Sequence, residues 1–285
     1  MVIEHERYKC VSGSSKPYFY INSDKLEEDI QWILANKIDS IRLSQYDGYK
    51  LKSIEPILQL KHIRSLVIFL KKVDLSKLCQ LDNLEELSIG ELNLNIDISN
   101  LKKLQDFYLL YHKNIKGLNT LSALKKLIAV KAEATFFSEV NFNSWKNLDE
   151  LASLNSKLPP NLSFLKNNRK LRELEIHNTR TQFNVSDLSS IKESLEILKI
   201  GSCKKVEGIE EVLPKLTNLR WFALTDSVPL KSSRFIDMLP NLDTLVVLGS
   251  SYFENGDLSN LKGKMKHIGI DDKKHYSLKT KDFSL

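Results

Sequence analysis

The chain has 285 residues, of which 42% are hydrophobic and 27% charged, a balance that excludes a disordered or fibrous polypeptide and suits an ordinary folded one. Forty-two basic residues against 36 acidic ones give a formal charge of +6. The two signs are interspersed, in short pairs such as Lys71-Lys72, Lys102-Lys103 and Lys273-Lys274, which suits a solvated surface better than a phosphate-binding stripe.

In chain order, the segment Pro17 to Ile21 (PYFYI) reads as a strand. The stretch NSDKLEEDIQWILANK that follows reads as a helix, with Leu26, Ile30, Ile33 and Leu34 on its apolar face. Asp24 and Glu27 have the spacing of a capping box, with Asp in place of the usual Ser or Thr. Residues 1–36 are therefore expected to form an N-terminal cap.

From residue 37 to residue 270 one pattern recurs: apolar, two variable, apolar, one variable, apolar. Its matches are Ile38/Ile41/Leu43, Ile63/Leu66/Ile68, Leu84/Leu87/Ile89, Leu104/Phe107/Leu109, Leu124/Leu127/Ala129 and Leu148/Leu151/Ser153. They continue as Leu171/Leu174/Ile176, Leu195/Leu198/Ile200, Leu219/Phe222/Leu224, Leu242/Leu245/Val247 and Met265/Ile268/Ile270. Successive starts lie 25, 21, 20, 20, 24, 23, 24, 24, 23 and 23 residues apart, a phase that chance leucines would not hold over eleven units. The second and third apolar positions alternate with variable ones, as in a strand with one buried face. Each strand returns to its neighbour through a long connection, so the pairs are expected to be parallel with right-handed crossovers.

Connection length predicts the opposite layer. SDLSSIKES, GIEEVLPKL and SSRFIDML in the later units have room for about two helical turns each. The shorter early units have less room, and LNLNIDISNL alternates like an extended segment, so extended or 3₁₀ connections are expected there. Strands pack about 4.8 Å apart and helices 8–10 Å apart, so such a stack curves with its strands inside, over an arc of roughly 50 Å. The final stretch DDKKHYSLKTKDFSL, residues 271–285, is polar and reads as a C-terminal cap or a tail.

The repeated pattern resembles the leucine-rich-repeat superfamily over Lys37 to Ile270. LDNLEELSIG, LKKLQDFYLL and LSALKKLIAV look like the short units of phosphatase-regulator and internalin-type repeats, and LEILKIGSCKK looks like the cysteine-containing class. The resemblance implies an α/β right-handed solenoid. About eleven parallel strands would line its concave face, with short helices, 3₁₀ or extended segments on the convex face. It also implies a polar residue three places after the third apolar position, where it satisfies backbone groups. That place holds Ser156, Thr179, Cys203, Ser227 and Ser250 in the later units, but Tyr46, Lys71, Leu92, His112 and Ala132 in the earlier ones.

No constellation for catalysis, metal or cofactor stands out. The six histidines are scattered without ligand spacing, and there is no glycine-rich phosphate loop or nucleophile elbow. Cys203 and His177 fall on adjacent repeats, but Cys203 occupies the turn position, which reads as structural. Cys10, Cys79 and Cys203 are odd in number and far apart, as in a reducing compartment. With no run of about 18 apolar residues and no secretory pattern at the start, a cytoplasmic protein is expected. The Lys-, Asn- and Ile-rich composition has a bacterial character.

The exposed strand positions carry the functional reading. Arg220-Trp221-Phe222 puts two rings side by side on a strand, so Phe222 is expected in the core and Trp221 on the concave face beside Ile197. Other apolar residues on that face are Val67 and Phe69, Tyr108 and Leu110, Ile128 and Val130, Leu154, Val246 and Leu248. Clusters of this kind mark interaction sites, and leucine-rich repeats are mostly recognition scaffolds. The expected function is a non-enzymatic protein- or peptide-binding module, monomeric or weakly dimeric. The alternatives are anionic-ligand or nucleic-acid binding through Lys and Arg, self-association through the apolar patches, and an enzyme with its chemistry in the caps.

Overall fold

The computed structural model describes residues 6–10 and 16–283. The chain divides into two compact units, residues 1–127 and 128–285. Each is built from the same repeat.

In the first unit, strand β1 (Tyr8–Cys10) pairs antiparallel with β2 (Pro17–Tyr20), and β2 pairs parallel with β3 (Ser40–Ser44), setting Phe19 beside Ile41. The main sheet continues in chain order through β4 (Ser65–Phe69) and β5 (Glu86–Ile89). A second, two-stranded sheet joins β6 (Ile96–Asp97), which follows β5, to β8 (Ile115–Lys116). Between them in sequence lies β7 (Asp106–Leu110), the next main strand. The start of β9 (Lys126–Val130) ends the unit. The alternating Leu94/Ile96/Ile98 stretch is extended as expected, and the other connections contain 3₁₀ turns at Glu55–Gln59 and Leu78–Gln80.

The helix α1 (Leu26–Ala35) buries Ile30 and Ile33. Its capping differs from the expected box. Asn22 caps the 3₁₀ turn that precedes the helix, its side chain accepting from the Asp24 amide at 2.9 Å, and Lys25 at the start of α1 provides no side-chain cap. Asp29, 1% exposed, receives Arg7 Nη1 at 2.6 Å and the Asn22 amide at 2.8 Å, so a charged pair holds the cap together.

In the second unit the helix α2 (Ala134–Glu139) precedes the main strands β10 (Glu150–Leu154) and β11 (Glu173–His177). The short strand β12 (Phe183–Asn184), the main strand β13 (Ile197–Gly201) and the short strand β14 (Val206–Glu207) come next. A single helical turn α3 (Ile209–Val212) leads to β15 (Trp221–Thr225), β16 (Thr244–Leu248) and β17 (His267–Ile270). The main strands pair in parallel and in register, and β12 pairs with β14 on the connection side. All eleven repeat strands expected from the pattern form, three of them (β3, β4, β5) wholly in unit 1 together with β7, and six wholly in unit 2. The later connections hold about two short turns each, as expected, mostly of 3₁₀ type: Ser186–Ile191 in SDLSSIKES and Arg234–Met238 in SSRFIDML.

Two small core residues, Ala129 and Ser153, take the third apolar slot of consecutive repeats. The chain between and after them carries Phe136, Phe137, Phe142, Trp145 and Phe164, packed with ring centroids 4.6–6.3 Å apart. Large rings from the connections thus fill the space that these small strand residues leave.

Each later turn is built alike. One residue adopts left-handed backbone: Lys131, Asn155, Asn178, Ser202, Asp226 and Gly249, with φ between 48° and 70°. In the first five its amide donates to the last carbonyl of the next strand, as from Asn155 to His177, Asn178 to Gly201 and Ser202 to Thr225, each at 2.8 Å, whereas the Gly249 amide donates to Asp271 Oδ2 at 2.7 Å. A buried polar side chain follows. Ser156 Oγ accepts the Ala132 amide, Ser227 Oγ the Cys203 amide, and Ser251 Oγ the Ser227 amide, at 2.9–3.0 Å. In the β16 turn the buried residue is Ser251 rather than the expected Ser250, which is exposed, because that turn has one extra residue after Gly249. In unit 1 the turn after β5 behaves likewise. Asn93, 3% exposed, and not Leu92, accepts the Val73 amide at 3.1 Å.

The C-terminal segment covers the last turn. Tyr276, 5% exposed, accepts the Phe253 amide on its hydroxyl at 2.8 Å, and Ser277 Oγ accepts the Leu258 amide at 2.9 Å.

Candidate functional site

The exposed face of the main sheet in unit 1 is partly closed by the N-terminal cap. Tyr18, Tyr20 and Val67 form a buried cluster with Phe69 packed against it. Gly90 makes room for Phe69, since a Cβ there would strike its ring. The Arg42 guanidinium lies 5.4 Å from the Tyr20 ring centroid and 4.7 Å from that of Phe69, while its Nε bonds Asp47 at 2.9 Å. Ser65 Oγ donates to Glu86 at 2.8 Å and accepts from Tyr18 Oη at 3.2 Å, and Lys16 also reaches Glu86. Burial pushes the Tyr20 hydroxyl pKa up. Val67, expected to be exposed, is 8% exposed because cap residues nearly 50 positions away in sequence lie over it. Tyr108 and Leu110 are half-buried on β7.

In unit 2, Ile128 and Leu154 are half-buried on the face. Val130, also expected to be exposed, is 8% exposed. It is the last residue of β9, just before the left-handed Lys131, whose amide donates to the Leu154 carbonyl where the chain turns away.

Strand register arranges the rest in three rows. The first runs Glu150, Glu173, Ile197, Trp221, Thr244, His267; the second Ala152, Glu175, Lys199, Ala223, Val246, Gly269; the third Leu154, His177, Gly201, Thr225, Leu248. Phe222 is fully buried and Trp221 is 39% exposed, which places the two neighbouring rings as the alternation requires. Trp221 stands next to Ile197, and Lys199 Nζ lies 5.0 Å from its ring centroid while binding Glu173 Oε1 at 2.6 Å. The ring is thus held from one side by a cation that a carboxylate fixes in place. His177 lies over Gly201, where a Cβ would collide with the imidazole, and its Nε2 is 3.4 Å from Glu175. Val246 and Leu248 are half-buried farther along.

The pairing of Cys203 and His177 has no nucleophilic geometry. The Cys203 thiol is buried and donates to the Gly201 carbonyl at 3.2 Å, and burial raises its pKa. Among the described residues no group of three or more His, Cys, Asp or Glu side chains could hold a metal ion. No described helix is long and apolar enough to cross a membrane.

One feature of the face escaped the sequence reading. The residue just before each strand forms a row of alternating sign: Asp149, Arg172, Glu196, Arg220, Asp243, Lys266. Arg172 pairs with Asp149, and Asp243 lies 4.0 Å from Arg220 and 3.3 Å from Lys266. In unit 1, Asp39, Arg64, Glu85, Gln105 and Lys125 occupy the equivalent places, with Arg64 3.8 Å from Glu85. Reading the position after each first apolar residue as a column of its own would have found it.

No family model matches the sequence, and no curated protein matches it. Solved structures do match. A leucine-rich-repeat protein of Leptospira interrogans is 24% identical, with a TM-score of 0.59 over 79% of this chain and 58% of that one. A TLR13–ssRNA13 complex is 19% identical, with a TM-score of 0.60 over 93% of this chain and 43% of that one. The ectodomain of the Arabidopsis thaliana receptor kinase GASSHO1/SCHENGEN3, in complex with CASPARIAN STRIP INTEGRITY FACTOR 2, is 14% identical, with a TM-score of 0.55 over 81% and 28%. This chain therefore spans between about a quarter and three-fifths of the length of these neighbours. Repeat phase, parallel strands and buried turn residues, together with these likenesses, give the chain a leucine-rich-repeat fold.

Proposed function

We propose that the chain is a non-enzymatic protein–protein interaction module that recognises a protein or peptide on its exposed sheet face, chiefly on that of unit 2. The observation that carries this reading is Trp221, a large aromatic ring kept at the surface beside Ile197 and steadied by Lys199. Such a rigid ring loses little entropy on binding and buries much area, and anchors of this type contribute about 2 kcal/mol or more. Phe69, Tyr108, Leu110, Ile128, Leu154, Val246 and Leu248 supply further half-buried contact area within their own units. Val67 and Val130 contribute packing.

Two fold neighbours are complexes, one with ssRNA13 and one with CASPARIAN STRIP INTEGRITY FACTOR 2, so this architecture accepts ligands of different chemistry. Charge favours a protein ligand here. The arginines and lysines before each strand alternate with acids, which spends their charge locally and leaves no continuous phosphate track. The free thiols Cys79 and Cys203 fit a reducing compartment such as a bacterial cytoplasm, in which the chain acts as a monomer or weak homodimer.

The test is affinity capture from the native host with wild-type and Trp221→Ala chains. A bound protein that the substitution loses, with an unchanged melting temperature, is the expected result. Identical captured proteins from both chains would defeat the reading.

A further inference from the structure

We propose that the unit 2 face takes an extended, positively charged peptide segment. A lysine or arginine of that segment faces Glu173 and Glu175, and an adjacent apolar side chain covers Trp221 and Ile197. The inference rests on the docking reading above and gives the ligand its chemistry.

The three face rows hold three carboxylates, Glu150, Glu173 and Glu175, and one ammonium, Lys199. The chain as a whole is basic, so an acidic patch here is the reverse of the average surface. Register places Glu150 directly opposite Glu173. Lys199 sits opposite Glu175 in register, yet its Nζ binds Glu173, which leaves Glu175 with His177 Nε2 at 3.4 Å as its neighbour.

Lys199 also shows how this surface holds an amine. Its Nζ rests between a carboxylate oxygen at 2.6 Å and the face of the indole, with the ring centroid at 5.0 Å. A guest cation beside Glu175 would repeat half of that arrangement. The middle of the face carries small side chains at Ala152 and Ala223, between the larger residues. An extended backbone can therefore approach the sheet while alternate side chains reach the acidic and aromatic positions. A phosphate or an acidic peptide would instead meet carboxylates on arrival.

A random linear-peptide library displayed on phage, selected against the whole chain, tests this directly. The best peptide would then be synthesised with a fluorophore for anisotropy titration. The expected outcome is enrichment of Lys or Arg next to an aromatic or aliphatic residue. Trp221→Ala should abolish measurable binding, and Glu173→Gln with Glu175→Gln should weaken it about fivefold to tenfold and flatten its salt dependence. Peptides that need Trp221 but carry neutral or acidic side chains, and ignore both glutamine substitutions, would overturn the charge assignment and leave the docking surface standing. Peptides indifferent to Trp221→Ala, or no enrichment at all, would overturn both. Because Trp221, Glu173 and Glu175 all lie outside the core, thermal melts of the variants should match the wild type and separate lost binding from lost folding.

Discussion

Removing one hydroxyl from the buried turn ladder should destabilise unit 2 measurably. Ser227 is 3% exposed, and its Oγ accepts the Cys203 amide at 3.0 Å while donating to the Thr225 carbonyl at 2.9 Å. In Ser227→Ala the Cys203 amide keeps its desolvation but loses its acceptor, a cost of about 1–3 kcal/mol. The space left by one oxygen is too small for a bridging water, which needs roughly a probe sphere of free volume. The Thr225 carbonyl loses a donor as well, so the total should be about 2–3 kcal/mol, or roughly 4–12 °C in melting temperature for a unit of this size. Two controls come from the structure. Ser227→Cys should recover much of the loss, because Cys203 fills the preceding rung and its thiol donates to the Gly201 carbonyl. At the next turn, Ser251→Ala should be costly, since Ser251 Oγ accepts the Ser227 amide, whereas the exposed Ser250→Ala should change little. Urea unfolding followed by far-ultraviolet circular dichroism reads all four variants. A Ser227→Ala chain within about 0.5 kcal/mol of wild type, or equal losses at Ser250 and Ser251, would refute the ladder.

Two further outcomes follow from the ends and connections. Tyr276→Phe leaves the Phe253 amide without its hydroxyl acceptor and should cost about 1–2 kcal/mol, with faster hydrogen exchange at that amide and no change on the sheet face. In unit 1 the Ser99 hydroxyl and amide hold the Asp97 carboxyl below the usual carboxylate range. Its folded-state pKa is lower than the unfolded one, so its contribution is present above pH ~4 and is lost as pH falls through the folded value. Asp97→Asn should therefore lower stability at neutral pH and converge with wild type in acid, which a series of urea melts across that range would show.

The architecture was legible because a repeat writes its phase many times over. Eleven matches to one pattern located eleven strands, and the alternation within one strand sent Phe222 inward and Trp221 outward. What failed to show was whatever depends on a single insertion or on distant chain. The extra residue after Gly249 moves the buried rung from Ser250 to Ser251, and nothing periodic records an insertion that occurs once. Asn93 replaces Leu92 for the same reason. Six residues in α2 are too few to display a helical period, and the sequence pattern assigned no element there. Val67 was misjudged because the ring that hides it arrives from the cap, and strand pattern carries no information about such a partner.

The charges on unit 2 show where sheet chemistry yields to another demand. Just before the strands, sign alternates over six consecutive positions, from Asp149 to Lys266, and neighbours neutralise one another. One residue later the alternation stops: Glu150 and Glu173 stand opposite each other, and Glu175 follows on the same strand. Lys199, from the next strand, compensates Glu173, so the departure from alternation is partly balanced on the face itself. The net charge of +6 is a property of the whole chain, while the chemistry of the proposed ligand is argued from the few side chains around Trp221 that oppose it.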